Sequence, residues 1–423
     1  MRSFNQAFSK STLARFLYPD DFYRDSNLSN DDYRNKLLEQ ALEIATSNFE
    51  GGSNHGFFYQ SDKDRLKGKK TYFSSNLEEK LVLRRCSYNV AKSLKVKPQN
   101  RHKVCKEIKS FLREGSRYRI YKLDIKSFFE SILLEDIKSK IREKVEVSTH
   151  TKNILISYLS NFSGYLPRGL EFSSTIAEVM LDEFDKHIMR NKEVIYYNRF
   201  VDDIFIITTS LEDGNKFYKD IQNHLPNNVY FNYNKKKIIS VKKRKKAGDK
   251  PEGNTVAKFD YLGYEFKVID THIPGKGRGD LAIFRDVKIE MSNRKIKSFK
   301  TKISKSLVSY NKDGNFELLK ARISFLTSNR DLVQKKTNHK IPTGIYYNFS
   351  LLTEKSDSLC QLDISLQKFI FGYDSLFNTQ KQNNLNLLQK RNLLKYSFKK
   401  GFEDKIYKKY SPDRLKEITK IWK

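Results

Sequence analysis

The chain has 423 residues, 38% hydrophobic and 13% aromatic, enough apolar material for two or three packed subdomains and too much for a low-complexity disordered segment. Lys and Arg number 81 against 50 Asp and Glu, a formal charge of +31 spread from end to end, so a polyanion, nucleic acid, is the expected partner. Three distant cysteines (Cys86, Cys105, Cys360) without a C-x-x-C pair argue against a disulfide framework or structural zinc, and no signal-like leader or run of 18 apolar residues occurs, so the expectation is a reducing cytoplasm away from membranes.

The first expected element is an amphipathic helix over residues 35–50, with Leu37, Leu38, Ala41, Leu42 and Ile44 at helical spacing. Residues 51–75, rich in Gly, Ser, Asn, Asp and Lys, read as a loop or basic flap, and residues 77–112 are helical and basic. The period then changes. YRIYKLDI (118–125) alternates like a strand, and residues 134–145 resume a helix. Ser173 and Ser174 can cap a long helix running through Met189. VIYYNRF (194–200) and IFIITT (204–209) are strand-like runs separated by Val201-Asp202-Asp203, a hairpin with acids at its tip. A helix over 212–224, a strand pair around 229–241 and FDYLGYEF (259–266) follow. Beyond about residue 280 the pattern is helical and basic, without a long strand-period run, and the boundary is expected in the Gly/Pro/Lys stretch 273–279. This irregular alternation is an α+β arrangement.

Asp124 ends one strand, and Asp202 and Asp203 sit at the hairpin tip. Two divalent ions about 3.5–4 Å apart need bridging carboxylates on rigid elements to clamp the attacking and leaving oxygens of a phosphoryl displacement. Magnesium prefers such hard oxygens. The plain alternative is a solvated turn, since Asp is a common turn residue. The apolar strands on both sides weigh against it.

DIKSFFESI (124–132) resembles motif A of reverse transcriptases, and LPRGLEFSS (166–174) is similar to motif B. FVDD (200–203) resembles motif C, Asn234-Lys-Lys-Lys237 motif D, and YLGYEF (261–266) motif E, the primer grip. The resemblance covers about residues 80–270, with the motifs in order. It implies a right-hand polymerase: fingers, a palm with an antiparallel sheet, and a helical thumb, followed by a helical C-terminal extension. The expected division is 1–117 for an N-terminal helical region and fingers, 118–270 for the palm with part of the fingers, 271–345 for the thumb and 346–423 for the extension.

By the same resemblance the activity is that of an RNA-directed DNA polymerase, a nucleotidyltransferase using two Mg²⁺ ions, with Mn²⁺ able to substitute. Asp124 and Asp202 would bind both ions, Asp203 would complete the site, and the Ile125 carbonyl would be a further ligand. Phe129 stands where a ribose 2′-hydroxyl is blocked; a core aromatic is the alternative, because adjacent Phe128 and Phe129 cannot point the same way along a strand. Lys237 would lie near the triphosphate, and Arg101 and Lys122 are candidate phosphate contacts from the fingers side; each is otherwise a solvated charge. Gly169 allows close approach of backbone to substrate or template, Arg168 flanks it toward the nucleotide, and Leu262, Gly263 and Tyr264 would form the primer grip.

The pattern has departures. Arg168 replaces the customary glutamine, Ser174 a proline, and Phe200 the tyrosine of motif C. RGLEFSSTIAEVMLDEFD resembles the abortive-infection and other defence-associated bacterial reverse transcriptases, which implies antiphage defence in a prokaryotic cytoplasm. The expected partners are a structured noncoding RNA, the DNA product and deoxynucleoside triphosphates, with a second subunit or homo-oligomer left open. Template-independent or protein-primed synthesis and a catalytically silent RNA-binding scaffold are the alternatives. Tyr346, Tyr347, Phe369 and Phe371 are candidates for base stacking or for helical core. KKRKK (242–246) reads as a solvated loop or an RNA-backbone contact, and the seven histidines are scattered singly.

Overall fold

The computed structural model describes residues 5–49, 57–61, 69–74, 76–96, 99–243, 253–270, 284–333, 337–354, 356–374, 379–380 and 384–422. The expected boundary at 273–279 and residues 244–246 of the basic run lie outside the described residues. Helices α1 (Lys10–Ala14), α2 (Pro19–Arg24) and α3 (Asp31–Thr46) come first. α3 starts earlier than its apolar periodicity suggests because Asn30 accepts hydrogen bonds from the Asp32 and Tyr33 amides, and Asp31 and Asp32 favour the positive helix end.

Strands β1 (Phe57–Ser61) and β2 (Lys70–Ser74) pair antiparallel, Tyr59 opposite Tyr72, where a loop or flap was expected. Their aromatic and β-branched residues are good strand formers inside a polar segment. The expected helical stretch after them is two helices, α4 (Leu77–Ser93) and α5 (Arg101–Leu112), parted by Lys95 at φ 54.

Next come β3 (Tyr118–Asp124), α6 (Leu134–Glu143), α7 (Thr149–Leu159), α8 (Ser173–Met180), α9 (Asp182–Arg190), β4 (Val194–Phe200), β5 (Asp203–Thr208), α10 (Gly214–Asn223) and β6 (Lys237–Val241). The long helix expected from Ser173 is broken between α8 and α9 at Leu181. Ser173 does not cap it either: its hydroxyl, 1% exposed, donates to the Pro167 carbonyl at 2.6 Å. Of the strand pair expected around 229–241 only β6 forms, with an isolated bridge between Ile125 and Phe231.

The remainder is β7 (Thr255–Tyr261), β8 (Tyr264–Ile269), β9 (Asp286–Met291), α11 (Asn293–Asp313), α12 (Phe316–Thr327), β10 (Asn329–Val333), β11 (Lys340–Gly344), α13 (Asp357–Ile370), short β12 (Tyr373–Asp374) and β13 (Thr379–Gln380), α14 (Leu387–Leu393), α15 (Phe398–Glu403) and α16 (Pro412–Thr419). The strands β9, β10 and β11 interrupt a part expected to be mostly helical.

Two compact units emerge, one from Met1–Asn100, Arg117–Lys242 and Lys335–Thr337, the other from Arg101–Ser116, Lys243–Gln334 and Asn338–Lys423. The first holds an antiparallel sheet in the order β4-β5-β3-β6. After Asp203, every residue of β5 is buried, and Leu123, Ile204 and Ile206 join Ile176, Phe184 and Phe172 in one core. The second unit holds the antiparallel order β7-β8-β9 together with helices α11 to α16. Both are mixed helix-and-sheet structures. No described helix is long and apolar enough to cross a membrane.

Candidate active site

The β3–β5 register sets Asp124 opposite Asp203, and the β4–β5 register sets Phe200 opposite the same Asp203. Val201 and Asp202 are therefore a two-residue turn between paired strands. The Asp202 carbonyl accepts the Ile125 amide at 3.0 Å, which ties the turn to the end of β3. Three carboxyl groups thus gather at one end of the sheet, beside a β5 whose remaining residues are buried and mostly apolar. Val201 has φ 61, a left-handed conformation that a β-branched residue resists. Val201→Gly is expected to raise stability by about 1 kcal/mol, the relieved strain exceeding the added chain entropy. Denaturant unfolding checks this, and a loss of stability would mean that Val201 contacts outweigh the strain.

Burial, and then the charges of Asp202 and Asp124, push the Asp203 carboxyl up to about 6. Burial also raises Asp202, with Asp124 adding to it, while Lys235 and Arg168 oppose the shift. Asp124, 7% exposed, receives Lys235 Nζ on Oδ1 at 2.6 Å and Asn232 Nδ2 on Oδ2 at 3.3 Å, and its backbone carbonyl accepts the Asn232 amide. Even with Lys235 on Asp124, burial and mutual repulsion keep two of the three carboxyl pKa values raised, and the donors of the set are all hard oxygens. That set fits divalent magnesium.

Lys122 lies two residues before Asp124 on β3, so both side chains leave the same face, and its charge lowers the Asp203 pKa. Lys237 pairs with Lys122 from β6 and is exposed. The lysine that reaches the carboxylates is Lys235. Two Asn-x-x-Lys patterns overlap here, Asn232-Tyr-Asn-Lys235 and Asn234-Lys-Lys-Lys237. Both ends of the first pattern hydrogen-bond Asp124. The signal was present in the sequence, one register earlier.

Phe128 and Phe129 lie in a 3₁₀ turn (Phe128–Ser131) preceded by Ser127 at φ 48, so strand alternation does not govern them. Phe128 is buried, while Phe129 is half-buried with the Arg168 guanidinium 4.6 Å over its ring. Arg168 also donates to both Glu130 oxygens, at 3.0 and 3.2 Å, and Lys69 donates to Glu130 at 2.9 Å. Burial alone would raise Glu130, but the hydrogen bonds from Arg168 and Lys69 outweigh it and hold the carboxyl below its ordinary range. Gly169 has φ 102, and a Cβ there would sit 2.6 Å from both Thr71 Cγ2 and the Tyr72 carbonyl oxygen. The close approach it permits is to β2 of its own chain, whose Tyr72 amide donates to the Arg168 carbonyl at 2.7 Å.

In the second unit, Leu262 (φ 46) and Gly263 (φ 82) form the turn between β7 and β8. Arg101 donates Nε to the Leu262 carbonyl at 2.7 Å and Nη1 to the Asn348 carbonyl at 3.0 Å, and lies 4.6 Å over the Tyr264 ring. Its guanidinium thus braces the 262–264 turn, a contact that sequence spacing does not reveal. Tyr264 is buried and its hydroxyl donates to the same Asn348 carbonyl. Phe369 is core, Phe371 and Tyr347 are exposed, and Tyr346 packs between Tyr347 and Phe402.

No curated protein matches the chain. The family model described as reverse transcriptase (RNA-dependent DNA polymerase) matches residues 77–266, a span that includes Asp124, Arg168, Asp202, Asp203 and Lys235. Over residues 77–266, therefore, the chain is similar to the reverse transcriptase domain, and the palm-type polymerase fold that this family implies agrees with the antiparallel sheet and helices of that span.

Proposed function

We propose that the chain is an RNA-directed DNA polymerase that adds deoxynucleotides by two-metal phosphoryl transfer at Asp124, Asp202 and Asp203. The observation that carries this reading is the pairing of Asp124 with Asp203 beside the Asp202 turn, with burial raising the two hairpin carboxyls. Two divalent cations, Mg²⁺ or a substituting Mn²⁺, supply the charge that activates the primer hydroxyl and neutralises the departing pyrophosphate. Asp124 and Asp202 hold both, and Asp203 and the Ile125 carbonyl complete the ligand set. Lys235, which can swing from Asp124, and Lys122 meet the triphosphate, while Lys237 stays a weaker candidate on the sheet edge. Phe129, backed by Arg168, excludes a ribose 2′-hydroxyl. Leu262, Gly263 and Tyr264 serve as primer grip, stiffened by Arg101. The division into fingers (to 117), palm (118–270), thumb (271–345) and C-terminal extension (346–423) is part of the same proposal.

The biological setting we infer is antiphage defence in a prokaryotic cytoplasm, with synthesis on an associated noncoding RNA. The support is the arginine-glycine-leucine form of motif B. A second reading, template-independent or protein-primed synthesis, is favoured by one observation: Arg168, at the position that faces a templating base in the family, is committed to Glu130 and Phe129.

The test is the chain purified from its native locus with labelled deoxynucleotides and Mg²⁺, beside an Asp202→Ala, Asp203→Ala variant. Co-purifying RNA and any product are sequenced. Metal-dependent DNA complementary to a bound RNA, and lost in the variant, is expected. Product with no complement supports the second reading, and RNA bound without any product refutes both. In the active protein, Arg168→Gln and Glu130→Gln are each expected to lower the preference for deoxy- over ribonucleotides by about tenfold, because a ring displaced by an ångström no longer fills its place. Paired kcat/KM measurements decide. Unchanged selectivity in both variants would mean that Phe129 holds its position unaided.

A further inference from the structure

Three side chains far from one another in sequence meet outside the carboxylate site. His187 lies in the last turn of α9, while Asp220 lies in α10 and His224 is that helix's C-terminal cap. His187 Nε2 is 2.8 Å from Asp220 Oδ2, and His224 Nδ1 is 3.5 Å from Asp220 Oδ1. The two imidazole rings stack face to face, centroids 3.3 Å apart and 11° from parallel. One ligand atom from each of the three residues lies within 4.8 Å of the others.

Several features suit a cation here. His224 Nδ1 is also 2.9 Å from the Asp220 backbone carbonyl, so the neutral ring donates through Nδ1 and keeps the Nε2 lone pair for a ligand. Both histidines stand at helix C-terminal ends, where backbone carbonyls concentrate negative charge. The carboxylate adds a formal negative charge. All three side chains are between 31% and 44% exposed, so an ion has an entry path and a water can take a further position. A tetrahedral ion bonded at about 2.1 Å spaces its ligands by about 3.4 Å, so side-chain rotations of about an ångström, the stacked rings fanning apart, complete the set.

We propose that His187, Asp220 and His224 bind one borderline transition-metal ion of the zinc class, with water completing the shell. Two imidazoles and one carboxylate select zinc, nickel or cobalt over magnesium. The ion ties α9, which leads into β4, to α10, which follows β5. It therefore staples the two helices that bracket the Asp202–Asp203 hairpin in the chain. The competing account is a plain His–Asp hydrogen bond that joins two helices without a metal.

The experiment uses the full chain without an affinity tag, in excess Mg²⁺ to fill the carboxylate site, titrated calorimetrically with Zn²⁺ alone. One ion per chain is expected, and the same stoichiometry in the Asp202→Ala, Asp203→Ala variant. His187→Ala and His224→Ala are each expected to weaken binding at least about tenfold. Both histidines are part-exposed, and melting in chelator confirms that the variants fold. Zn²⁺ is expected to raise the melting temperature of the parent and not that of the variants. Failure of the parent to take up Zn²⁺, or uptake undiminished in both histidine variants, overturns the proposal. Neither result bears on polymerase chemistry, which the deoxynucleotide assay reads separately.

Discussion

Asparagine in place of Asp203 is expected to abolish deoxynucleotide incorporation and, in the same protein, to raise the melting temperature of the cation-free chain at pH 8. The activity loss follows from the proposed role of Asp203 in holding the catalytic cations, worth several kcal/mol of transition-state stabilisation or about a thousandfold in rate. The stability gain follows from the pKa. Burial and the neighbouring Asp202 and Asp124 push Asp203 up to about 6, so the folded chain binds that proton more tightly than the unfolded chain does. A group raised in this way favours the fold fully below its unfolded pKa, about 4, and that contribution is lost as pH rises through about 6. By pH 8 the ionised, part-buried carboxylate is a net cost of roughly 2 kcal/mol, which neutral asparagine avoids. In chelator, the melting curve of the parent is expected to fall between pH 4 and pH 7 relative to the flatter variant. Added Mg²⁺ is expected to stabilise the parent and to do less for the variant. A variant less stable than the parent at pH 8 in chelator would show that Asp203 is held as a carboxylate by its partners, against this account.

Gly169→Ala is expected to destabilise the first unit by about 3 kcal/mol, through a side chain forced into the left-handed region and overpacked against its neighbours. Thr71 Cγ2 can rotate away from the new Cβ, but the Tyr72 carbonyl oxygen, also 2.6 Å off, is backbone and can yield only if β2 moves. The hydrogen bond from the Tyr72 amide to the Arg168 carbonyl must then lengthen. Hydrogen exchange is the direct probe: protection of the Tyr72 amide should drop, with denaturant unfolding reporting the free energy. Full protection at Tyr72 together with a midpoint like that of the parent would sink the prediction. Because Lys69 and Arg168 both hold Glu130, a displaced β2 is also expected to raise KM for nucleotide.

What could be read in advance followed the strength of the apolar pattern. The strands β3, β4 and β5 matched their sequence reading to within a residue at most ends, because each is a dense apolar run in a sheet with a covered face. The turn Val201-Asp202 was equally plain, since the two strand-like runs left only Val201-Asp202-Asp203 between them. β1 and β2 were hidden by the polar residues around short aromatic runs, and β9, β10 and β11 by the surrounding basic helices. Lys235 was passed over for Lys237 because spacing alone does not choose between two overlapping Asn-x-x-Lys registers; only the 3₁₀ turn (Tyr233–Lys235) that carries Lys235 back toward Asp124 does. The meeting of His187 with His224 was equally invisible. It depends on how α9 packs beside α10, which no local period encodes.

The contact between Lys235 and Asp124 makes cation loading an exchange instead of an addition. One ammonium has two claimants, the carboxylate and an incoming triphosphate, and under the proposed chemistry it cannot serve both. A divalent ion that takes Asp124 frees the lysine for nucleotide, and a nucleotide that draws the lysine away clears Asp124 for the ion. Each then strengthens binding of the other by the same factor. Under that proposal, when nucleotide is scarce the chain supplies its own counter-ion to Asp124, and the metal is held less tightly.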